Sequence, residues 1–173
     1  MSRSEERFRC PVFWVTEDEA EDHEGHTIHR FVVRHSGSAV IWVVDDKKRV
    51  LLVRQYRLPA AEALWELPAG RVDEGEKPLA AAKRELREET GYRARSWKKL
   101  AAFWSSPGYV AEHMTIYAAS DLVAGERPAH QAEERLEARW VKLKKLDEWI
   151  RKGRVKDAKT MIGYWAYCAW GRR

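Results

Sequence analysis

The chain has 173 residues and a mass of 20.2 kDa, which suits one domain large enough to bury a hydrophobic core. Hydrophobic residues make up 45% and charged residues 34%, and these values exclude a collagen-like or wholly disordered chain. The net charge of +5 favours an anionic partner, but it does not distinguish a nucleotide from a nucleic acid or a phospholipid surface. Two widely separated cysteines, Cys10 and Cys168, argue against a disulfide scaffold or a zinc site.

The sequence shows no targeting or membrane-spanning segment. Residues 1–10 lack the apolar core of a signal peptide. The longest apolar stretch, near Met161–Trp170, is too short and too interrupted to span a bilayer. We therefore expect a soluble, cytoplasmic protein without a membrane partner.

Strand patterns dominate the first half of the chain. Val12–Val15 and Ile28–Arg34 are predicted as early strands, joined by the acidic stretch Glu17–His26. Ala39–Val44 is a continuous apolar run rich in β-branched residues, and a charged turn separates it from Val50–Val53. This pattern predicts a hairpin with at least one buried strand.

The second half mixes helices with further strands. The strands are predicted at Leu100–Ser105, Met114–Ala119 and Leu136–Leu143, and the helices at Pro78–Thr90, Leu146–Lys152 and Ala158–Trp170. Proline in the first turn and Gly91 just past the end mark the first helix, and Asp157 is the expected N-cap of the last. We therefore predict an α+β fold, a mixed α/β sandwich, rather than a doubly wound parallel sheet.

The helix predicted at Pro78–Thr90 carries an unusual acidic face. Glu85, Glu88 and Glu89 are related by steps of three and four residues, which place carboxylates on one side of the helix. Like charges at this spacing cost roughly 0.2–0.5 kcal/mol each, and the macrodipole disfavours anions near the helix C-terminus. A divalent cation would offset this repulsion, and ligands that are all oxygen suit Mg²⁺ or Mn²⁺.

The spacing of this segment favours a metal site over a solvated acidic face. Eight residues stand at fixed spacing, namely Gly70, Glu76, Arg84, Glu85, Leu86, Glu88, Glu89 and Gly91. They resemble the Nudix box, with Tyr92 in place of the usual aliphatic residue at its end. The resemblance implies a Nudix-type α/β/α sandwich with a mixed sheet, and a reaction in which water attacks a diphosphate linked to another group.

The resemblance also implies roles for the residues of the box. The metal ligands would be the backbone carbonyl of Ala69 and the side chains of Glu85, Glu88 and Glu89. Through the metal, Glu85 and Glu88 also take part in catalysis, because the bound cation positions the phosphates and lowers the pKa of a water. The residues that hold the box together would be Gly70, Glu76, Arg84 and Gly91, with a salt bridge between Glu76 and Arg84.

Residues outside the box resemble one branch of the family, the ADP-ribose pyrophosphatases. The matching segments are LLVRQYR at 51–57, WELPAG at 65–70, SSPG at 105–108 and GRVKDAKTM at 153–161. Pro107 stands sixteen residues beyond Gly91, which is a marker of that branch. We therefore predict a Nudix hydrolase domain over residues 28–173, and an N-terminal segment, residues 1–27, that forms a strand or an arm of a dimer.

Substrate contacts follow from the same resemblance. The predicted substrate-binding residues are Arg57, Arg54, Arg30, Gly70 and Pro107. Arg57 is the first choice for a diphosphate ligand, because a guanidinium offers paired donors to phosphate oxygens. An adenine slot would be lined by an aromatic residue of a partner subunit, or by Trp14, Trp42 or Trp65.

A catalytic base is expected outside the box. In this branch the base often belongs to a flexible loop before the last strand, which here is Val123–Arg135. Glu134 aligns best with the glutamate of that loop, and Glu133 is the alternative. A mobile loop can bring its carboxylate to the attacking water when substrate and metal are bound.

Together these residues predict an enzyme that hydrolyses ADP-ribose to AMP and ribose 5-phosphate, with Mg²⁺ or Mn²⁺ as cofactor. One alternative changes the substrate to a nucleotide sugar, such as GDP-mannose or ADP-glucose, or to an oxidised nucleoside diphosphate. Another alternative is a regulator that senses ADP-ribose and binds nucleic acid. The chain shows no appended helix-turn-helix or winged domain, so we predict no nucleic-acid partner, and the resemblance further implies a homodimer.

Overall fold

The computed structural model describes residues 3–127 and 136–170. The strands of this part are β1 (Arg3–Arg9), β2 (Trp14–Glu21), β3 (Thr27–Arg34), β4 (Ser38–Val43), β5 (Arg49–Arg57), β6 (Glu62–Glu66), β7 (Ala69–Arg71), β8 (Arg93–Ser106), β9 (Val110–Val123) and β10 (Glu137–Lys142). Its helices are α1 (Pro78–Thr90), α2 (Leu143–Arg151) and α3 (Ala158–Trp170), and a short 3₁₀ turn spans Leu58–Ala60. None of these helices combines the length and apolar character that crossing a membrane requires.

Two sheets organise the strands. In the larger sheet the order is β1–β2–β3–β9–β4–β7, and β8 pairs with β9 outside this path. Strand β9 runs parallel to β3 and β4, whereas the other pairs of this sheet are antiparallel. The smaller sheet is antiparallel, in the order β10–β5–β6. The predicted α+β class with a mixed sheet is therefore confirmed.

Strand β4 lies at the centre of the core and is buried along its full length. Because successive side chains of a strand point to opposite faces, β4 contributes to two hydrophobic clusters. The cluster that joins β4 to α1 contains Ala39, Ile41, Val43, Ala81, Ala82 and Leu86. The cluster that joins β4 to α2 contains Val40, Trp42, Leu146 and Trp149, and the ring of Trp42 also lies 5.2 Å from that of Tyr167 in α3. Helices therefore cover both faces of β4.

The N-terminal residues form two strands of the larger sheet, and β2 runs through much of the acidic stretch that was expected to be a connection. Basic residues on the neighbouring strands oppose the acidic side chains of β2. Arg7 Nε donates to Glu17 at 2.6 Å, and Arg34 forms an ion pair with Asp18. These cross-strand pairs stabilise a strand that the acidic composition alone does not indicate.

The predicted hairpin between Ala39–Val44 and Val50–Val53 is wrong beyond its turn. Within the described part of the chain the two segments meet at one isolated bridge, Val44–Val50, and then continue in different sheets. The turn itself is held by Asp45, whose carboxylate accepts a hydrogen bond from the Arg49 N–H at 2.8 Å. Both segments are buried, and a short apolar run does not indicate which strands it will pair with.

Candidate active site

The acidic helix is delimited by the signals that the sequence contains. Helix α1 has Pro78 in its first turn and ends at Gly91, where φ is 75° and the N–H donates to the Arg87 carbonyl at 2.9 Å. Glu88 and Glu89 are buried near this end of the helix. Burial of carboxylates at a helix C-terminus is unfavourable, so these side chains require a compensating partner.

Strand β7 packs its backbone directly against this helix. A Cβ atom at Gly70 would lie 2.0 Å from the Glu85 carboxyl, so glycine is what permits the close approach. The backbone N–H of Ala69 donates to Glu89 Oε2 at 3.1 Å. Pairing of Ala69 with Val40 in β4 fixes this stretch of backbone. The sheet therefore brings main-chain groups among the carboxylates of α1.

Glu85, Glu88 and Glu89 form what we call the carboxylate cluster, and its charges are only partly compensated. Burial raises the pKa of Glu89 to about 8, and the negative charge of Glu85 is a second cause. The positive charges of Lys159 and Arg57 oppose this rise. Burial also raises the pKa of Glu85. A bound cation would favour the ionised form of both side chains.

Arg84 links the carboxylate cluster to the loop before the helix. Its guanidinium donates to Glu76 at 3.2 and 3.0 Å, and to the Arg71 carbonyl at 2.9 Å. Its Nη1 atom also contacts Glu85 and lies 3.2 Å from Glu88 Oε2. The hydrogen bond to Glu76, followed by those to Glu85 and Glu88, holds the pKa of Arg84 above its usual value. One side chain thus joins loop to helix and partly neutralises the cluster.

The donors of the carboxylate cluster fit a divalent cation. Carboxylate oxygens are ligands that Mg²⁺ and Mn²⁺ prefer, and their burial beside like charges favours a bound cation. Within residues 3–127 and 136–170, no three acidic, histidine or cysteine side chains converge closely enough to hold one ion as they stand. Arg84 bridges Glu85 and Glu88 instead, so these long side chains would turn toward a common ion when it binds.

A cleft of about 450 Å³ lies beside the box. Residues that line it include Arg57, Ala69, Gly70, Trp104 and Lys159. Arg57 Nε and Nη2 each donate to Glu66 at 2.8 Å, and the Arg57 side chain remains 41% exposed. The cleft therefore combines cationic donors with the backbone of β7, an arrangement that can bind a phosphate group next to the carboxylate cluster.

Three predicted substrate-binding residues do not line this cleft. Arg54 is exposed on β5, and its guanidinium lies 5.8 Å from the centre of the Trp65 ring. Arg30 is exposed on β3 and donates to the adjacent His29 carbonyl at 2.8 Å. Pro107 lies in the exposed turn between β8 and β9. Arg54 and Arg57 differ because residues three apart in a strand point to opposite faces.

A larger cavity, of about 760 Å³, lies toward the other end of β4. Its lining includes Trp42, Trp97, Lys98 and Tyr167, and no residue of the box contributes to it. Cavity size alone would therefore select a place without any residue of the box. The smaller cleft is the better candidate for the active site because the charged and main-chain donors converge there.

The tryptophans are placed differently from the expectation. Trp42 and Trp65 are buried in the core and do not line the cleft beside the box, and Trp14 is half-buried with Arg9 over its ring. Trp104, which is not one of the aromatic residues expected there, is exposed at the cleft and packs edge-on against His113 with ring centres 5.1 Å apart. Its position directly before the SSPG segment is the sequence signal that points to it.

The two candidates for the catalytic base, Glu133 and Glu134, lie outside the described residues. The residues on either side of that segment, Arg127 and Leu136, are described. Arg127 Nε donates to the backbone carbonyl of Glu88 at 2.9 Å, and Arg127 Nη1 donates to the Leu136 carbonyl at 3.4 Å. Arg127, which precedes segment 128–135, therefore contacts α1 directly, and Leu136, which follows the segment, is linked to α1 through Arg127.

The fold and the site together define a pyrophosphohydrolase of the Nudix type. Residues 33–162 match the NUDIX domain, and the chain belongs to this family. The resemblance that the box residues indicate is therefore confirmed over most of the chain.

Two relatives extend the comparison to almost the full length. The chain is 33% identical over 157 residues to the ADP-ribose pyrophosphatase of Bacillus subtilis. The aligned region covers 90% of this chain and 85% of that protein. The chain is 32% identical over 161 residues to the methanol dehydrogenase activator of Bacillus methanolicus, with coverage of 92% and 87%. A crystal structure of an ADP compounds hydrolase shares the fold, with a TM-score of 0.79, 22% identity and coverage of 97% and 91%.

Proposed function

We propose that this protein hydrolyses the diphosphate of ADP-ribose to AMP and ribose 5-phosphate. The observation that carries the proposal is the complete carboxylate cluster beside a cleft that Arg57 lines. The similarity to an ADP-ribose pyrophosphatase over 90% of the chain supports the choice of substrate. The protein is proposed to work in the cytoplasm as a homodimer.

In this proposal the chain's own residues divide the chemistry among them. Glu85, Glu88 and Glu89, with the Ala69 carbonyl, would hold Mg²⁺ or Mn²⁺, which when bound would screen phosphate charge and lower the pKa of a water. Arg57 binds the diphosphate through donors that Glu66 leaves free. Because residue 70 is a glycine, the backbone of β7 lies close to Glu85, and a phosphate in the cleft can approach the carboxylate cluster.

The remaining roles are a base and an adenine platform. We assign the base to Glu134, with Glu133 as the alternative, because Glu134 aligns best with the loop glutamate of the branch and because Arg127, which directly precedes segment 128–135, donates to the Glu88 carbonyl of α1. The base would take the proton of the attacking water. Trp104 offers an exposed aromatic face at the cleft on which an adenine ring can stack.

The test is AMP release from ADP-ribose by purified protein in Mg²⁺, measured beside Glu85→Gln. The variant removes one charged ligand and keeps the size of the side chain, so the rate should fall by more than about 100-fold. Glu74→Gln is the matched control, since Glu74 is an exposed acidic residue of the same segment and should keep the wild-type rate. In the same assay, Glu134→Gln should lower kcat far more than Glu133→Gln.

Two results would overturn the proposal. A kcat/KM for ADP-glucose or GDP-mannose well above that for ADP-ribose would reassign the substrate to a nucleotide sugar. Tight DNA binding without turnover of any nucleoside diphosphate derivative would replace the enzyme with a regulator.

A further inference from the structure

Four charged side chains at the edge of the cleft form a continuous network. They are Arg57, Glu66, Asp157 and Lys159, and we call them the Lys159 network. Lys159 Nζ lies 2.6 Å from Glu66 Oε2 and 2.8 Å from Asp157 Oδ1. The Lys159 side chain is 10% exposed and that of Glu66 2%, so both charges are largely removed from water.

Glu66 lies between the two cations of this network. It accepts two hydrogen bonds from Arg57 and one from Lys159. Burial would raise the pKa of Glu66, but the hydrogen bonds from Arg57 and the charge of Lys159 outweigh burial and lower it. Both carboxylate oxygens are engaged, which fixes the plane of the Arg57 guanidinium. Arg57 has five N–H donors, of which two bond to Glu66, so three remain for a ligand in the cleft.

Anchoring of α3 does not by itself account for a buried lysine at this position. Thr160 already ties the start of α3 to the end of β6, because its Oγ1 accepts a hydrogen bond from the Leu67 N–H at 2.8 Å. The exposed pair of Lys156 and Glu62, at 2.8 Å, joins the same two segments. Taking a lysine and a glutamate out of water has a large desolvation cost, which apolar residues of similar size avoid.

We propose that Lys159 is a positioning residue for phosphate binding, acting through Glu66 on Arg57. Lys159 holds the Glu66 carboxylate in place, and Glu66 in turn holds the Arg57 guanidinium with its free donors available to the diphosphate. The inference rests on the proposed function, because it takes Arg57 as a diphosphate ligand. Without Lys159, Glu66 would keep one cationic partner instead of two, and the guanidinium would lose its fixed orientation.

The experiment is a double-mutant cycle on Arg57→Ala and Lys159→Met. Two readouts are used, the Kd of methylenediphosphonate by calorimetry in Mg²⁺ and the KM and kcat for ADP-ribose. Arg57→Ala should weaken diphosphonate binding by about tenfold or more, because it removes charge-assisted hydrogen bonds. Lys159→Met should weaken it severalfold and raise KM more than it lowers kcat. The double variant should bind within about twofold of Arg57→Ala alone.

Two further variants keep the test decisive if Lys159→Met folds poorly. Lys159→Arg preserves the charge facing Glu66 and should bind the diphosphonate more tightly than Lys159→Met. Lys156→Met removes the exposed pair between the same segments and should leave the Kd unchanged.

The outcomes separate the inference from the proposed function. Additive effects of Arg57→Ala and Lys159→Met on the Kd, or an equal loss in Lys156→Met, would overturn the role of Lys159. Wild-type protein that binds the diphosphonate but releases no AMP from ADP-ribose would overturn the proposed function, while the coupling between the two residues would still decide the inference.

Discussion

At the scale of single residues, Glu89 is the position where burial and charge conflict. Its carboxylate is buried beside Glu85, and its main-chain partner is the Ala69 N–H. The pKa of about 8 means that the folded protein binds a proton there over a pH range in which an unfolded glutamate is ionised. As a proposed metal ligand, Glu89 would couple protonation and folding to cation binding.

The coupling predicts how stability depends on pH. The contribution of Glu89 is fully present below the unfolded pKa near 4.5 and is lost as pH rises to about 8, because the folded state binds more protons in that window. In EDTA, the free energy of unfolding should fall as the pH rises through this window, and Glu89 should contribute up to roughly 1.4 kcal/mol per pH unit to the fall. Urea unfolding between pH 5 and 8 measures it. Glu89→Gln should flatten the slope, and identical slopes for wild type and variant would contradict the assignment.

At the scale of elements, two glycines mark places where a helix and a strand approach closely, with different consequences. A Cβ at Gly70 of β7 would meet the carboxyl group at the end of the Glu85 side chain. A Cβ at Gly163 of α3 would lie 2.6 Å from Leu67 Cδ1 and 3.2 Å from the Trp42 ring, inside the core. Glycine at position 70 therefore leaves room for the Glu85 carboxylate, and glycine at position 163 leaves room for the packing of the hydrophobic core.

These two positions predict opposite phenotypes. Gly70→Ala should displace the Glu85 carboxylate, so Mg²⁺ affinity and AMP release fall by about tenfold or more while Tm changes little. Gly163→Ala should cost about 1–3 kcal/mol of stability through overpacking and leave Mg²⁺ affinity unchanged. Thermal unfolding and Mg²⁺ titration of both variants supply the comparison, and parallel losses in the two would refute it.

The elements also show what a sequence can specify. The ends of α1 and α3 are predictable because their signals are local, as with Gly91 and with Asp157, whose carboxylate accepts the Thr160 N–H at 3.0 Å. The carboxylate cluster follows from helical spacing. The separation of β4 from β5 does not, because it depends on strands distant in sequence. Trp104 is different, because its signal is local: it stands directly before the SSPG segment, in the hairpin of β8 and β9 that leaves it exposed.

At the scale of the whole molecule, the N-terminal strands expose apolar side chains on one face. Phe8 pairs across from Val15, and Phe31 across from Glu17, so the register places both phenylalanines on the same side of the sheet. Phe8 is 53% exposed and Phe31 57%. Such a patch is typical of a surface that contacts a partner, and it supports the proposed homodimer.

The proposed dimer predicts a solution mass of twice 20.2 kDa by light scattering. The double variant Phe8→Ser and Phe31→Ser should shift the protein toward a monomer, because it removes apolar area from the contact. Trp165→Ser is the control, since Trp165 is 56% exposed but lies on α3. If the dimer persists in the phenylalanine variant and dissociates in Trp165→Ser, the interface lies at α3 and not at the N-terminal strands.

The position of Arg84 among the carboxylates has a consequence for how the protein matures. A chain that supplies its own counter-ion to an acidic site can complete folding before it encounters a divalent cation, unlike small zinc domains whose folding requires the metal. If a divalent cation binds the carboxylate cluster after folding, its charge would replace the contacts of Arg84 with Glu85 and Glu88, while the hydrogen bonds of Arg84 to Glu76 would remain. In that order of events, activity would depend on the supply of the ion, whereas folding would not.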